Sequence, residues 1–268
     1  MPDRVLITLD SLRWDVFQAA DAPLLKSLGD WKQAWAQATY TFPAHMSAFV
    51  GKMPQTLDGA DYTDSVAIRH DGQRTRRAKD FWRLVNPESK RPARESLEGK
   101  TIVEGFARKG CVTIGTGAMS WFNPHTPPGA FLTDPFDRFA FFDGPDLASH
   151  RSAPKQADWL LEQLDAAAGE DRFVFWNVGE THARFEYEGC PWQGERNPYG
   201  DRETCLTRQR ACLEFIDQHL ARVLERLPDA DLVIFADHGE ALGEDGLWGH
   251  GFCCDAVMRV PMLVRLAS

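Results

Sequence analysis

The sequence predicts a three-layer α/β/α sandwich with a largely parallel central sheet, and three observations carry that expectation. Apolar runs recur at Val5–Leu9, Phe173–Val178 and Val233–Ala236, nearly continuous as in strands covered on both faces. Stretches with helical spacing alternate with them, as a parallel sheet requires. Each run also ends at once in a carboxylate or an imidazole: Asp10, then Glu180 with His182, then Asp237 with His238. Open α/β sheets bind ligands in the crevice beyond the carboxyl ends of their strands, so three such ends on one sheet would be neighbours in space.

Along the chain, Val5–Leu9 is a first strand and Asp10 follows it; taken alone, Asp10 also reads as a helix N-cap. Residues 22–38 are helix and loop with core anchors at Leu24, Leu25, Leu28, Trp31 and Trp35. Pro43 suits the first turn of a helix and Gly51 with Pro54 marks its end, so a short helix runs from about Pro43 to Val50. Thr41 then stands at the positive end of that helix. The site suits an anion or a deprotonated hydroxyl, while a capping threonine predicts the same spacing. Residues 58–94 are polar and irregular, and the basic run Arg69–Lys79 reads as a solvated face.

A helix capped by Ser96 and a strand from Cys111 to Gly115 form the next unit. The Pro- and Gly-rich stretch from Asn123 to Pro145 reads as a long loop, with His125 and, beyond it, His150 at the surface. Residues 153–168 are an amphipathic helix. Thr204–Leu227 is the longest helix, with Leu206, Leu213, Ile216, Leu220 and Val223 at 3/4 spacing. The last strand, Val260–Arg265, contains Pro261, which suggests an edge position. Nothing splits the chain, so residues 1–268 are expected to form one domain.

Charge narrows the function. With 39 acidic against 30 basic residues the balance is -9 and the pI about 5.4. Nucleic acid and membrane surfaces demand a basic face, so neither is an expected partner; an anionic substrate would need local cations or a metal. No signal peptide or membrane span is read. The six cysteines form no CxxC pair, which suits free thiols and a cytoplasmic location. The sequence is silent on oligomeric state.

Asp, Glu and His delivered at three strand ends of one sheet, with a hydroxyl at a helix N-terminus, make a divalent-metal site beside a nucleophile. Zn²⁺ and Mn²⁺ accept such mixed ligands, whereas Ca²⁺ prefers oxygen only. Glu240 is expected to orient His238. His45 is either a packing residue on its helix or a substrate contact.

Three segments resemble, in order, motifs of the alkaline phosphatase and sulfatase superfamily. They are Leu9-Asp10-Ser11-Leu12-Arg13-Trp14-Asp15, Thr41-Phe42-Pro43-Ala44-His45-Met46-Ser47 with Gly51 and Pro54, and Asp237-His238-Gly239-Glu240 with Leu242-Gly243-Glu244 and His250-Gly251. Glu180-Thr181-His182, Asp217 and Arg259-Val260-Pro261 resemble its later landmarks. Residues 55–150 carry no such motif, and the chain is short for the family, lacking most of its usual C-terminal region.

The resemblance implies an alkaline-phosphatase-like fold, with Asp10, Asp237 and His238 binding one metal and Thr41 serving as ligand and nucleophile. His182 and His250 would either hold a second ion or hydrogen-bond substrate oxygens. Family sulfatases carry a Cys or Ser, oxidised to formylglycine, in a segment that continues to Arg; Thr41 and His45 stand at those two positions here. Threonine cannot become that aldehyde. The expected activity is therefore metal-dependent hydrolysis of phosphate mono- or diesters, small anionic molecules, through a phosphothreonine. The alternatives are a phosphoryl-group transferase of the same superfamily, whose known examples are membrane-anchored, and a non-catalytic metal-binding scaffold.

Overall fold

The computed structural model describes residues 3–51, 68–69, 100–142 and 153–267. The strands are β1 (Arg4–Leu9), β2 (Lys32–Trp35), β3 (Ile68–Arg69), β4 (Val112–Gly117), β5 (Arg138–Phe141), β6 (Arg172–Val178), β7 (Asp231–Ala236), β8 (Ala241–Leu242), β9 (Leu247–Gly249) and β10 (Arg259–Arg265). The α-helices are α1 (Trp14–Ala19), α2 (Pro23–Ser27), α3 (Thr41–Val50), α4 (Ile102–Arg108), α5 (Pro127–Thr133), α6 (Ala153–Ala166), α7 (Arg202–Leu224) and α8 (Asp255–Met258).

Seven strands form the main sheet in the order β2-β10-β7-β1-β6-β4-β5, and β3, β9 and β8 form a small second sheet. The run β7-β1-β6-β4-β5 is parallel throughout, and β10 is antiparallel to both of its neighbours. This is the mostly parallel, helix-flanked sheet expected from the sequence.

Side chains alternate across a strand, so each central strand feeds two cores. Val5, Ile7 and Leu9 of β1 join Val174, Trp176, Leu232 and Ile234 against Leu160 and Leu164 of α6 and Leu213, Ile216 and Leu220 of α7. On the opposite face Leu6, Phe173 and Phe175 meet Phe42, Met46 and Phe49 of α3, with Phe122 and Phe136. That second layer is built from aromatic rings in contact, edge-to-face for Phe49 on Phe175 at 5.1 Å and stacked for Phe136 on Phe173 at 6.3 Å.

Several expectations change. Pro261 is not on an edge: β10 lies between β2 and β7, and the edge strand is β2. Pro261 pairs with Gln33 but lies outside the register with β7, which begins at Met262, so its missing N–H is tolerated there. Trp35 is not core, because β2 turns its ring outward and leaves it 56% exposed. The stretch after Asn123 is not one long loop. It holds α5, entered through Thr126 and Pro127, and β5, the parallel edge strand beside β4. His125 is exposed, as expected.

The described part of α4 is capped by Thr101, reciprocally with Glu104; Ser96, all of the basic run 69–79 beyond Arg69, and His150 lie outside the described residues. No helix among the described residues is long and apolar enough to cross a membrane.

Asp217, buried in α7, has a structural task. Its two carboxylate oxygens accept the N–H groups of Leu24 at 3.0 Å and Leu25 at 2.8 Å, the first turn of α2. Asp217→Ala would orphan both donors and is expected to destabilise the fold by about 1–3 kcal/mol, read as a lower urea midpoint with an unchanged slope.

Candidate metal centre

The register of the three central strands builds the site. Leu9 pairs with Val178 on one side and with Ala236 on the other, so Asp10, Gly179 and Asp237 emerge level with one another. The polypeptide beyond them is bolted together. The Asp10 N–H reaches the Val178 carbonyl at 2.9 Å, and Thr181 Oγ1 donates to the Asp10 carbonyl at 2.6 Å. The Ser11 N–H donates to Asp237 Oδ1 at 3.1 Å. Gln209, buried on α7, donates one amide group to both the Ser11 and Thr181 carbonyls, at 2.9 and 2.8 Å. Ser11 is held at φ 59°, a left-handed conformation that a non-glycine residue adopts only where its surroundings impose it. Asp10 is no helix cap: α1 starts at Trp14, after Arg13.

The opposite wall is α3. Its first residue is Thr41, two residues earlier than the proline suggests, and it is capped at the far end by Gly51 at φ 68°. The Thr41 hydroxyl does not cap the helix. It donates to Asp10 Oδ2 at 3.1 Å and lies 3.4 Å from His238 Nε2.

His45, one turn along, settles as a packing residue. Its Nδ1–H donates to the Thr41 carbonyl at 2.7 Å, its Nε2 accepts from Thr8 Oγ1 at 2.8 Å, and its edge meets Phe122. Burial lowers its pKa to about 4, so it is neutral at pH 7.

His238 is oriented by its own backbone. Its Nδ1 lies 2.9 Å from the Gly239 carbonyl, which can only accept, so the proton sits on Nδ1 and the Nε2 lone pair is left facing the site. Nε2 lies 3.8 Å from Asp10 Oδ1 and 3.7 Å from Asp237 Oδ2. Gly239 is required here by close approach: a Cβ would stand 2.1 Å from the Ala256 carbonyl oxygen.

Glu240 does not orient His238, as the sequence suggested. It accepts from His250 Nδ1 at 2.8 Å and is also gripped by the Tyr199 hydroxyl. His250 lies 4.4 Å from His238, tilted, and 5.1 Å from His182, edge-on, ring centre to ring centre. Glu180 Oε1 is engaged elsewhere, accepting the N–H of Ala153 at the start of α6, at 2.5 Å.

All six residues expected from sequence, Asp10, Thr41, His182, Asp237, His238 and His250, therefore gather in one place. Ser11, Thr181, Tyr199 and Gln209 were missed. Gln209 alone left a signal, a polar residue on the inward, 3/4-spaced face of α7.

Electrostatics make the site a cation trap. Ligand atoms of Asp10, Asp237 and His238 lie within 4.8 Å of one another, and those of His238, Glu240 and His250 form a second such group. Asp237 is pushed well above the usual carboxylate range, by burial first and by the Asp10 charge second. Burial and the neighbouring His250 push His238 well below its ordinary value. For His250 burial opposes the charged form, but Glu240 and Asp10 outweigh it and raise the pKa. Asp237 Oδ2 is buried and has no hydrogen-bond partner, an arrangement that is costly unless a cation is present. Two carboxylates, a hydroxyl and an imidazole with its Nε2 bare fit Zn²⁺ or Mn²⁺.

The sequence model of the family described as Sulfatase matches residues 2–267. The chain belongs to the sulfatase family. Sulfatase-family proteins sit in the alkaline phosphatase superfamily, whose members are hydrolases or transferases of small anionic esters. The C-terminal periplasmic domain of EptC from Escherichia coli, crystallised in complex with Zn, is similar in fold (TM-score 0.64, 12% identity, 100% of this chain and 74% of that one). So is the phosphonate monoester hydrolase of Silicibacter pomeroyi (TM-score 0.62, 14% identity, 99% and 68%). A sulfatase-like protein from Bacteroides fragilis gives TM-score 0.61 at 15% identity, over 99% and 68%. No curated protein matches this sulfatase-family chain by sequence.

The raised Asp237 pKa has a stability consequence. Between the ordinary Asp value, about 3.9, and the raised one, the folded chain holds a proton that the unfolded chain has released. Metal-stripped protein is thus expected to lose stability as pH rises through that window. Asp237→Asn should flatten the dependence and raise the metal-free Tm at pH 7, by about 2–4 °C per kcal/mol relieved. The same substitution should abolish the rise in Tm that added Zn²⁺ gives the unaltered protein; scanning calorimetry with and without metal reads both.

Proposed function

We propose that the protein is a metal-dependent hydrolase of phosphate mono- or diesters that works through a phosphothreonine on Thr41. The observation that carries this reading is the Thr41 hydroxyl itself, at the positive end of the ten-residue α3, 3.1 Å from Asp10 and 3.4 Å from His238. Asp10, Asp237, His238 and Thr41 are the residues that would hold the ion. When bound there, Zn²⁺ or Mn²⁺ supplies charge that lowers the pKa of a coordinated hydroxyl and polarises a phosphoryl oxygen.

The chain's own groups do the rest. Thr41 Oγ1 donates its proton towards Asp10 and its oxygen attacks phosphorus. The new P–O bond forms as the bond to the leaving oxygen breaks, and that oxygen takes up the proton released by Thr41 and departs as the alcohol; water then attacks phosphorus, one of its protons restoring the Thr41 hydroxyl as phosphate leaves. Deep burial of Asp10, Thr41, Asp237 and His238 excludes bulk water from the attack. His182 and His250, beside them, would hydrogen-bond the transferred group's oxygens or hold a second ion.

Oxidising threonine, a secondary alcohol, gives a ketone and never formylglycine, which supports phosphate over sulfate esters despite the family's name. A second reading, transfer to an alcohol acceptor, is favoured by the fold shared with EptC of Campylobacter jejuni, described as a phosphoethanolamine transferase.

On one preparation, p-nitrophenyl phosphate or bis-p-nitrophenyl phosphate should turn over far faster than p-nitrophenyl sulfate, and chelation should abolish the activity. Thr41→Ala should cost several orders of magnitude, on the scale of the ~10⁶ that loss of a nucleophile costs a triad enzyme, and Thr41→Ser should retain part of the rate. Wild-type turnover by Thr41→Ala would remove the nucleophile assignment. Faster turnover with an alcohol acceptor, yielding a new ester, would favour the transferase.

A further inference from the structure

The β8–β9 hairpin places two groups beyond the pairs that define it. Ala241 pairs with Gly249 and Leu242 with Trp248, so Glu240 and His250 form the next cross-strand pair, at the end facing the metal centre. Their side chains meet there, with Glu240 Oε2 2.8 Å from His250 Nδ1. The other carboxylate oxygen of Glu240 accepts from the Tyr199 hydroxyl, which arrives from the segment between β6 and α7 and packs its ring on Trp248 at 5.7 Å. Glu240 is wholly buried.

An ionised carboxylate only accepts, so the bond to His250 obliges Nδ1 to carry the proton. In the neutral ring Nε2 is then the unprotonated nitrogen, on a ring packed edge-on against His182 and tilted against His238. A histidine left to itself divides between two tautomers and several ring positions. A carboxylate on Nδ1 removes that freedom, and a phenol on the carboxylate removes the freedom of the carboxylate.

We propose that Tyr199 and Glu240 are positioning residues that lock His250 as the Nδ1–H tautomer and present its Nε2 to the group being transferred. The proposal rests on the phosphate-ester reading for its kinetic part alone; the tautomer is a property of the protein without substrate or metal.

Long-range ¹H–¹⁵N correlation on metal-free protein, at a pH high enough for the His250 ring to be neutral, reads that tautomer directly. His250 should be Nδ1-protonated in the unaltered protein, remain mostly so in Glu240→Gln, which keeps an acceptor, and become a mixture in Glu240→Ala and Tyr199→Phe. An Nε2-protonated His250, or a tautomer indifferent to all three substitutions, overturns the proposal whether or not any ester is turned over.

With phosphate ester as substrate, Glu240→Ala should lower kcat about 10–100-fold, as loss of such supporting partners does elsewhere, with little change in KM. Tyr199→Phe should cost less and Glu240→Gln should recover much of the loss. In a His250→Ala background neither Glu240→Ala nor Tyr199→Phe should cost anything further, because each acts through that ring. Full additivity in the double variants overturns the proposal. Should Glu240→Ala fail to fold, Tyr199→Phe and Glu240→Gln decide both measurements. A locked tautomer in a protein that hydrolyses no phosphate ester would fail the functional reading and leave the positioning intact.

Discussion

Two like charges brought together out of water are the constraint on which this structure turns. Asp10 and Asp237 leave adjacent parallel strands at the same level, both buried, and burial and mutual repulsion each resist ionising the pair. Backbone N–H groups of Ser11 and His238 offset part of that cost at Asp237 Oδ1, while Oδ2 stays bare. Folding alone leaves the balance unfinished, and a divalent cation would complete it.

Rigidity follows from the same arrangement, since like charges drift apart unless the backbone holds them. The left-handed Ser11, the Thr181 hydroxyl on the Asp10 carbonyl and the forked grip of Gln209 tie three strand ends to the longest helix. None of these groups touches Thr41, yet each helps to set where Asp10 stands relative to it. On the other side of the sheet, His45 joins α3 to β1 through Thr8, and Asn177 of β6 donates to that same hydroxyl at 3.1 Å. A wholly apolar contact at that point would permit the helix to slide; directional bonds do not.

The sequence made legible what depends on period and on composition. Continuous apolar runs marked β1, β6 and β7, and charged residues at their ends marked the site, because a buried ionisable group is rarely there for packing. Short or contrary elements were illegible. β2 offers four half-polar residues whose strand character comes only from pairing with β10, and β5 lies in a stretch whose prolines and glycines read as loop. Pro261 misled because a proline inside a sheet is tolerated wherever the ladder on one side has already ended. Glu240 was matched to the wrong histidine for a similar reason: adjacency in sequence favoured His238, whereas the hairpin register selected His250.

The position of β1 also bears on how the chain is made. Among the described strands it is the earliest synthesised, yet in the finished sheet it stands between β6 and β7, both of which come more than 150 residues later in the sequence. Until they emerge, Val5, Ile7 and Leu9 have neither hydrogen-bonding neighbours nor the helices that cover them. Contacts this distant in sequence are slow to close and leave an apolar strand open to misdirected pairing meanwhile. Asp10 and Thr41 are thus synthesised well before Asp237 and the imidazoles of His182, His238 and His250, and wait, unassembled, for the groups that complete the site.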